Sequence, residues 1–215
     1  LEERTADLVD GGVCGLELDL SACRDSGGHH LRRALATAAR HGLPVLLHAE
    51  DPVLAAELTS RARGRGHHAP GAWAAARPAS VQVAAVAAAL AACRATGARL
   101  HLARVSSGEA LDLISAARFE GLPVSVDTCP HFLSMTADAL LSKGSLAKTQ
   151  PALQDQDDVD RLWQGLASGE VTSVASGHDP AVWPDEKRTG SIWDDRPGFP
   201  ATELLLPFLL SEGVG

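Results

Sequence analysis

The chain has 215 residues, 45% of them apolar, and a formal charge of −8 at pH 7. That length suits one large domain or part of one, and that apolar share suits a globular protein. The acidic balance, without any basic run, argues against a nucleic-acid surface; the longest apolar stretches are short for a membrane span, and no signal peptide opens the chain. Four cysteines (Cys14, Cys23, Cys93, Cys129) form no C-x-x-C and no knot-like spacing, which fits reduced thiols of a cytoplasmic protein. Leu1 is not a methionine and stands just ahead of a helix-like stretch, so a piece of a longer protein is expected.

Taken in order, strand-like and helix-like segments alternate. Val13–Leu20 is a short apolar run. Leu31–His41 has helical spacing and is stopped by Gly42. Val45–His48 is the next strand, then a helix over Pro52–Arg63 and a Gly/His/Arg loop over Gly64–Ala69. Arg77-Pro78-Ala79-Ser80 opens an Ala-rich helix to Thr96, closed by Gly97. A strand at Arg99–Val105 leads through Ser106-Ser107, a helix cap, into a helix ending at Phe119. Pro123–Asp127 is a strand, Asp155–Ala167 a helix and Val171–Ser176 a strand. A loop rich in Trp, Asp and Pro then runs over Pro180–Pro200 to a closing apolar helix, Ala201–Leu210. Five strands with helices between them and no hairpin signals imply a parallel α/β sheet. Length alone leaves two architectures: an open doubly wound sheet, or an incomplete barrel, since a full one takes eight strands and about 250 residues.

Chemistry concentrates at the ends of these strands. The apolar run Pro44–Leu47 breaks off in His48-Ala49-Glu50-Asp51, where α/β barrels keep their sites. Other strands run into Arg104–Ser107, Asp127–His131 and Ser176-Gly177-His178-Asp179. Glu17 and Asp19 share one side of the first strand by alternation, and a buried carboxylate there needs a cation or a metal. Each residue also has a plainer reading: His48 as a core histidine, His178 and Asp179 as loop or cap residues, His131 as a loop-shaping residue. The pairs His29-His30 and His67-His68 read as solvated loop residues, and Trp183 and Trp193 as the lining of a pocket or the cover of a barrel wall.

Four segments occur together in a familiar order: Pro-Val-Leu-Leu-His-Ala-Glu-Asp (44–51), Leu-His-Leu-Ala-Arg-Val-Ser-Ser (100–107), Val-Ser-Val-Asp-Thr-Cys-Pro-His-Phe-Leu (124–133) and Val-Ala-Ser-Gly-His-Asp-Pro (174–180). With the closing run at 197–210, they resemble the cyclic amidohydrolases: allantoinase, dihydroorotase and dihydropyrimidinase, allantoinase most of all. The resemblance implies a (β/α)8 TIM barrel, here as a single incomplete domain over 1–215 that matches the fourth to eighth strands and carries a long loop at 181–200. It implies a hydrolase with two divalent ions (zinc), held by a His-x-His on the first strand, a carboxylated lysine on the fourth, one histidine each on the fifth and sixth, and an aspartate on the eighth.

Position by position, the lysine is Glu17, the fifth-strand histidine is His48, the sixth-strand histidine is Arg104 and the aspartate is Gly177. The metal ligands left are His48 and, as a carboxylate stand-in, Glu17. Substrate contacts fall on Gln150, His178 and His131, with His178 and Asp179 as the remaining acid–base groups near the lost aspartate. Asp179 lies two residues on, about 6.6 Å along a strand, which is far for a ligand. His101, three residues from Arg104, is expected to face away from it. Arg104 has no lone pair to give a metal. The two substitutions become compatible if Arg104 pairs with Glu17 or Asp19. The expected function is an allantoinase-like hydrolysis of a small cyclic amide, impaired by weak or lost zinc. The alternatives are a non-catalytic binding or homo-oligomerising subunit and a truncated product without function. No nucleic-acid or membrane partner is expected.

Overall fold

The structure, a computed structural model, describes residues 2–20 and 28–213; Cys23 lies outside them. Helix α1 (Glu2–Asp10) precedes β1 (Leu16–Asp19), followed by α2 (Gly28–Arg40), β2 (Val45–His48), α3 (Pro52–Gly64), the short α4 (Ala72–Ala75) and α5 (Ala79–Thr96). Then come β3 (Leu100–Ala103), α6 (Gly108–Phe119), β4 (Val124–Thr128), two short helices α7 (Pro130–Ser134) and α8 (Ala139–Lys143), α9 (Gln156–Ala167), β5 (Ser173–Val174) and α10 (Leu205–Glu212). The expected helix boundaries hold to within a few residues, with left-handed glycines at 42 and 97 as stops. His29 and His30 differ from expectation: they are exposed in the first turn of α2, not in a loop. The last strand shrinks to two residues, because Thr172 and Ser173 offer no apolar alternation and the chain turns away at Gly177.

All five strands are parallel and lie side by side in chain order, β1-β2-β3-β4-β5. Such a sheet needs cover on its outer face, and the sequence supplies it. Val45, Leu47, Leu100, Leu102 and Val126 are fully or almost fully buried. The helices over them pack in succession, α2 on α5, α5 on α6 and α6 on α9. Among the described residues α5 alone is long and apolar enough to cross a membrane. Its Val81, Ala85, Val86, Ala89, Leu90 and Cys93 are instead part of the buried core.

The other face is polar, and register fixes its rows. In a parallel ladder, paired residues project to the same side. Glu17, Leu46, His101 and Ser125 therefore form one row, and Asp19, His48 and Ala103 the next. The alternation that buries the valines and leucines thus delivers acids and histidines to the concave side of the sheet.

Candidate active site at the strand ends

His48 stands at the C-terminal end of β2, and both of its ring nitrogens are engaged. Nε2 lies 2.8 Å from Glu17 Oε1, and Nδ1 accepts the Arg104 Nε–H at 3.0 Å. A guanidinium can only donate, so Nδ1 must carry a lone pair and Nε2 the hydrogen that goes to Glu17. The expected direct pairing of Arg104 with Glu17 gives way to a relay in which His48 stands between them, and Glu17 is exposed rather than the buried acid that the strand reading anticipated.

Arg104 reaches this position through an unusual backbone. Its φ is +57°, the one positive value at a non-glycine among the described residues. Two buried side chains hold the turn. Asp127 Oδ1 accepts the Arg104 N–H at 2.8 Å, and Gln82 Nε2 donates to the Arg104 carbonyl at 3.3 Å. Gln82 Oε1 also accepts the N–H groups of Ser106 and Ser107 at 2.9 and 3.1 Å. Asp127 Oδ2 lies 2.8 Å from His101 Nε2, whose Nδ1 meets Ser125 Oγ at 2.8 Å. The expectation that His101 faces away from Arg104 fails for this reason: β3 ends at Ala103, alternation stops there, and the left-handed residue swings its side chain back to the concave face. Ser107 caps α6 as read, accepting the Ala110 N–H.

Above His48 lies a cavity of about 100 Å³, whose walls include Asp19, His48, Glu50, Arg104, Gln150 and Asp179. Burial raises the Glu50 carboxyl above the usual carboxylate range despite the nearby Arg77. Asp179 Oδ1 accepts from Arg196 at 3.2 Å, and His178 turns Nδ1 to the N–H groups of Ala201 and Thr202 at 3.1 and 3.3 Å. Arg104, Gln150 and Asp179 also border a smaller void of about 10 Å³ beside His131, Thr149 and Gly177. His131 is 6% exposed, its ring 4.2 Å from Phe132 and 5.1 Å from Phe199. Burial, reinforced by Arg104, holds its pKa down at about 4. Its Nδ1 and the Thr149 hydroxyl are buried without a hydrogen-bond partner, and a void of this size beside two polar atoms suits about one water molecule. The Cys129 thiol, buried among these groups, is pushed up to about 12, so it is no thiolate at neutral pH.

Lys148, 1% exposed, holds the long loop over this site. Its Nζ lies 4.0 Å from the Trp73 ring centre and donates to the carbonyls of Ile192 (2.6 Å) and Asp195. Arg77 stacks on the same ring at 3.4 Å. Trp193 is buried against Trp73, whereas Trp183 is exposed.

The donor set does not fit a pair of divalent ions. His48 has both nitrogens committed, Nε2 to Glu17 and Nδ1 to the Arg104 guanidinium, which has no lone pair to give a metal. Gly177 has φ +62°, and a Cβ built there would lie 2.6 Å from His131 Cε1 and 2.9 Å from Cys129 Sγ, so an aspartate has no room as the site stands. Among the described residues no three His, Cys, Asp or Glu side chains gather closely enough to hold a metal.

A parallel α/β sheet in chain order, with a polar inner face and a cavity at the carboxyl ends of its strands, has the architecture of part of an α/β barrel. Comparison with known proteins makes this specific. No family model matches the chain. It is 36% identical over 220 residues to an allantoinase of Solibacter usitatus, covering 97% of this chain and 46% of that protein. It is 33% identical over 215 residues to an allantoinase of Rubrobacter xylanophilus, covering 98% and 47%. A crystal structure of dihydropyrimidinase from Brevibacillus agri superposes with a TM-score of 0.94 at 28% identity, over 99% of this chain and 48% of that one. Along nearly its whole length the chain belongs with the cyclic amidohydrolases, allantoinase-like in sequence, and it spans about half the length of the curated relatives it matches.

Sequence reasoning brought Glu17, His48 and Arg104 together, and Gln150, His131 and Asp179 nearby. It named Asp127 only as the end of a strand, without its hold on Arg104 and His101, and it gave no role to Gln82 or Lys148. A signal existed for Gln82: it is the lone polar side chain between Val81 and Leu90, in an otherwise apolar helix, and a buried amide must find partners.

Proposed function

We propose that this chain is part of an allantoinase-like hydrolase of cyclic amides whose zinc site has given way to a fixed side-chain cation, so that turnover of allantoin or a related ureide is strongly reduced. One observation carries the reading: the Glu17–His48–Arg104 network, in which a guanidinium consumes the histidine lone pair that a metal would take. The electrostatics agree. A permanent cation offsets the carboxylates on the concave face and repels a dication. In this reading Gln150 faces the cavity as a donor and acceptor for a ring amide, while His131, His178 and Asp179 border the substrate space. The chain as a whole is one incomplete barrel domain, and it works in the cytoplasm with reduced thiols; Cys14, Cys93 and Cys129 are free.

Metal analysis and turnover test this together. The purified chain, assayed with zinc, cobalt or manganese against allantoin, hydantoins and dihydroorotate, is expected to hold less than one metal ion tightly and to turn over far below the rates of intact relatives. Two tightly held zinc ions with family-level turnover overturn the reading.

A second reading, a binding or homo-oligomerising subunit, is favoured by the apolar exposure at the end of the chain. Leu204, Leu206 and Leu210 are 54%, 65% and 62% exposed, a cluster of the kind that marks interaction surfaces. Size-exclusion chromatography with light scattering decides it, and a compact monomer counts against it.

A further inference from the structure

A second concavity lies between the α8 turn and the long loop, with a volume of about 460 Å³, and shares no lining residue with the strand-end cavity. That volume is in the range of small-molecule sites. Its charge is opposite to that of the whole chain. Lys143, Lys187 and Arg188 line it against one carboxylate, Asp195. Asp195 is already occupied, accepting from Ser145 Oγ and, at 2.8 Å each, from Thr189 N and Oγ1. Counting His68 as neutral, the lining carries two net positive charges in a chain of formal charge −8.

One of these cations is built into the site. Lys187 is only 4% exposed, and its Nζ donates to Ser145 O at 3.0 Å and more distantly to Lys148 O at 3.4 Å. An ammonium has three protons to donate, so among the described residues one remains. At the rim, Trp183 is 54% exposed, with the Arg188 guanidinium 5.8 Å from its ring centre. Gly190 has φ +97° and nothing within 4 Å of where a Cβ would be, so open space borders the backbone there. Buried and exposed cations therefore converge beside a flat aromatic surface.

We propose that this concavity binds a phosphomonoester carried on a flat heterocycle, a nucleoside monophosphate in chemical class. A phosphomonoester bears a charge near −2 at neutral pH and three acceptor oxygens, which matches the two net positive charges and the ammonium and guanidinium donors of the lining. The ring stacks on Trp183, an interaction that tolerates any base. The pocket does not depend on the reading of the strand-end site, since no residue is common to the two linings.

Calorimetric titration of the whole chain with adenosine 5′-monophosphate, adenosine and inorganic phosphate tests it, with tryptophan fluorescence as a second readout. The monophosphate is expected to bind with a dissociation constant on the order of 100 µM, and adenosine and phosphate at least about tenfold more weakly. Lys143→Glu and Arg188→Glu should each weaken it about tenfold or more by removing a charge-assisted contact, and Trp183→Leu about tenfold by removing the stack. All three side chains are exposed, and an unchanged circular dichroism spectrum confirms folding. Absence of monophosphate binding up to about 5 mM, phosphate binding as tightly as the monophosphate, or affinities untouched by these substitutions would each overturn the proposal.

Discussion

Placing a side chain at position 177 probes how tightly the site is filled around His131 and Cys129. Gly177 has φ +62°, and a Cβ there would sit 2.6 Å from His131 Cε1 and 2.9 Å from Cys129 Sγ. Neither neighbour can yield easily, since His131 is 6% and Cys129 0% exposed. The left-handed backbone costs a non-glycine residue about 1–2 kcal/mol, and forcing a methyl into a filled space costs about 1–3 kcal/mol more. Gly177→Ala should therefore lose about 2–5 kcal/mol. For a chain of this length that is a fall in Tm of roughly 4–20 °C. Gly177→Asp should lose at least as much and gain no zinc in a calorimetric titration. Because the clash is with His131, the double variant Gly177→Ala/His131→Ala should be more stable than the two single losses predict, by about 1 kcal/mol or more. Differential scanning calorimetry reads all of these. A Gly177→Ala protein melting within about 1 °C of the parent, or a Gly177→Asp protein that takes up zinc, would refute the argument from crowding.

Three further outcomes follow from the same geometry. His131 titrates near 4 when folded against an ordinary 6.5, so below pH 6.5 the unfolded chain binds a proton that the folded chain refuses. Stability then falls as pH drops from 6.5 to 4, by about 3 kcal/mol, and urea titrations at several pH values should show this contribution vanish in His131→Gln; an unchanged slope over that window would count against it. Asp127→Ala strands the Arg104 N–H and one side of His101, which should cost about 3–5 kcal/mol by urea denaturation, whereas a loss under about 1 kcal/mol would mean that the carboxylate is dispensable. Gln82→Ala unpairs the carbonyl of Arg104 and the amides of Ser106 and Ser107; about 2–4 kcal/mol should be lost, and hydrogen exchange at 106 and 107 should speed up without a matching change at the centre of α9.

Much of the fold was legible because its signals are local and agree with one another. Glycine stops at 42 and 97, the apolar run at 45–47, the apolar–polar alternation of Leu100-His101-Leu102, and helical spacing between them each specify an element, and the parallel sheet follows from the order of strands and helices. The site was legible as a set of positions, because strand ends are where polar residues interrupt apolar runs. Its wiring was not. An arginine at φ +57° has no sequence signature, and without it alternation sends Arg104 and His101 to opposite faces. The hold of Lys148 on the loop carbonyls at 192 and 195 depends on residues more than forty positions apart, a distance over which spacing carries no information. Trp183 and Trp193 look alike in sequence, and packing against Trp73 alone separates the buried one from the exposed one.

The turn at residue 104 is held by its own main chain: the amide is gripped by Asp127 and the carbonyl by Gln82, neither of which touches the guanidinium in doing so. The side chain at 104 is thus an exchangeable head on a rigid mount, and a histidine grafted there would inherit an aim already set toward His48. Any attempt to build a metal centre in this scaffold meets its bottleneck at the start of α7, where the imidazole of residue 131 fills the space that a side chain at 177 would need.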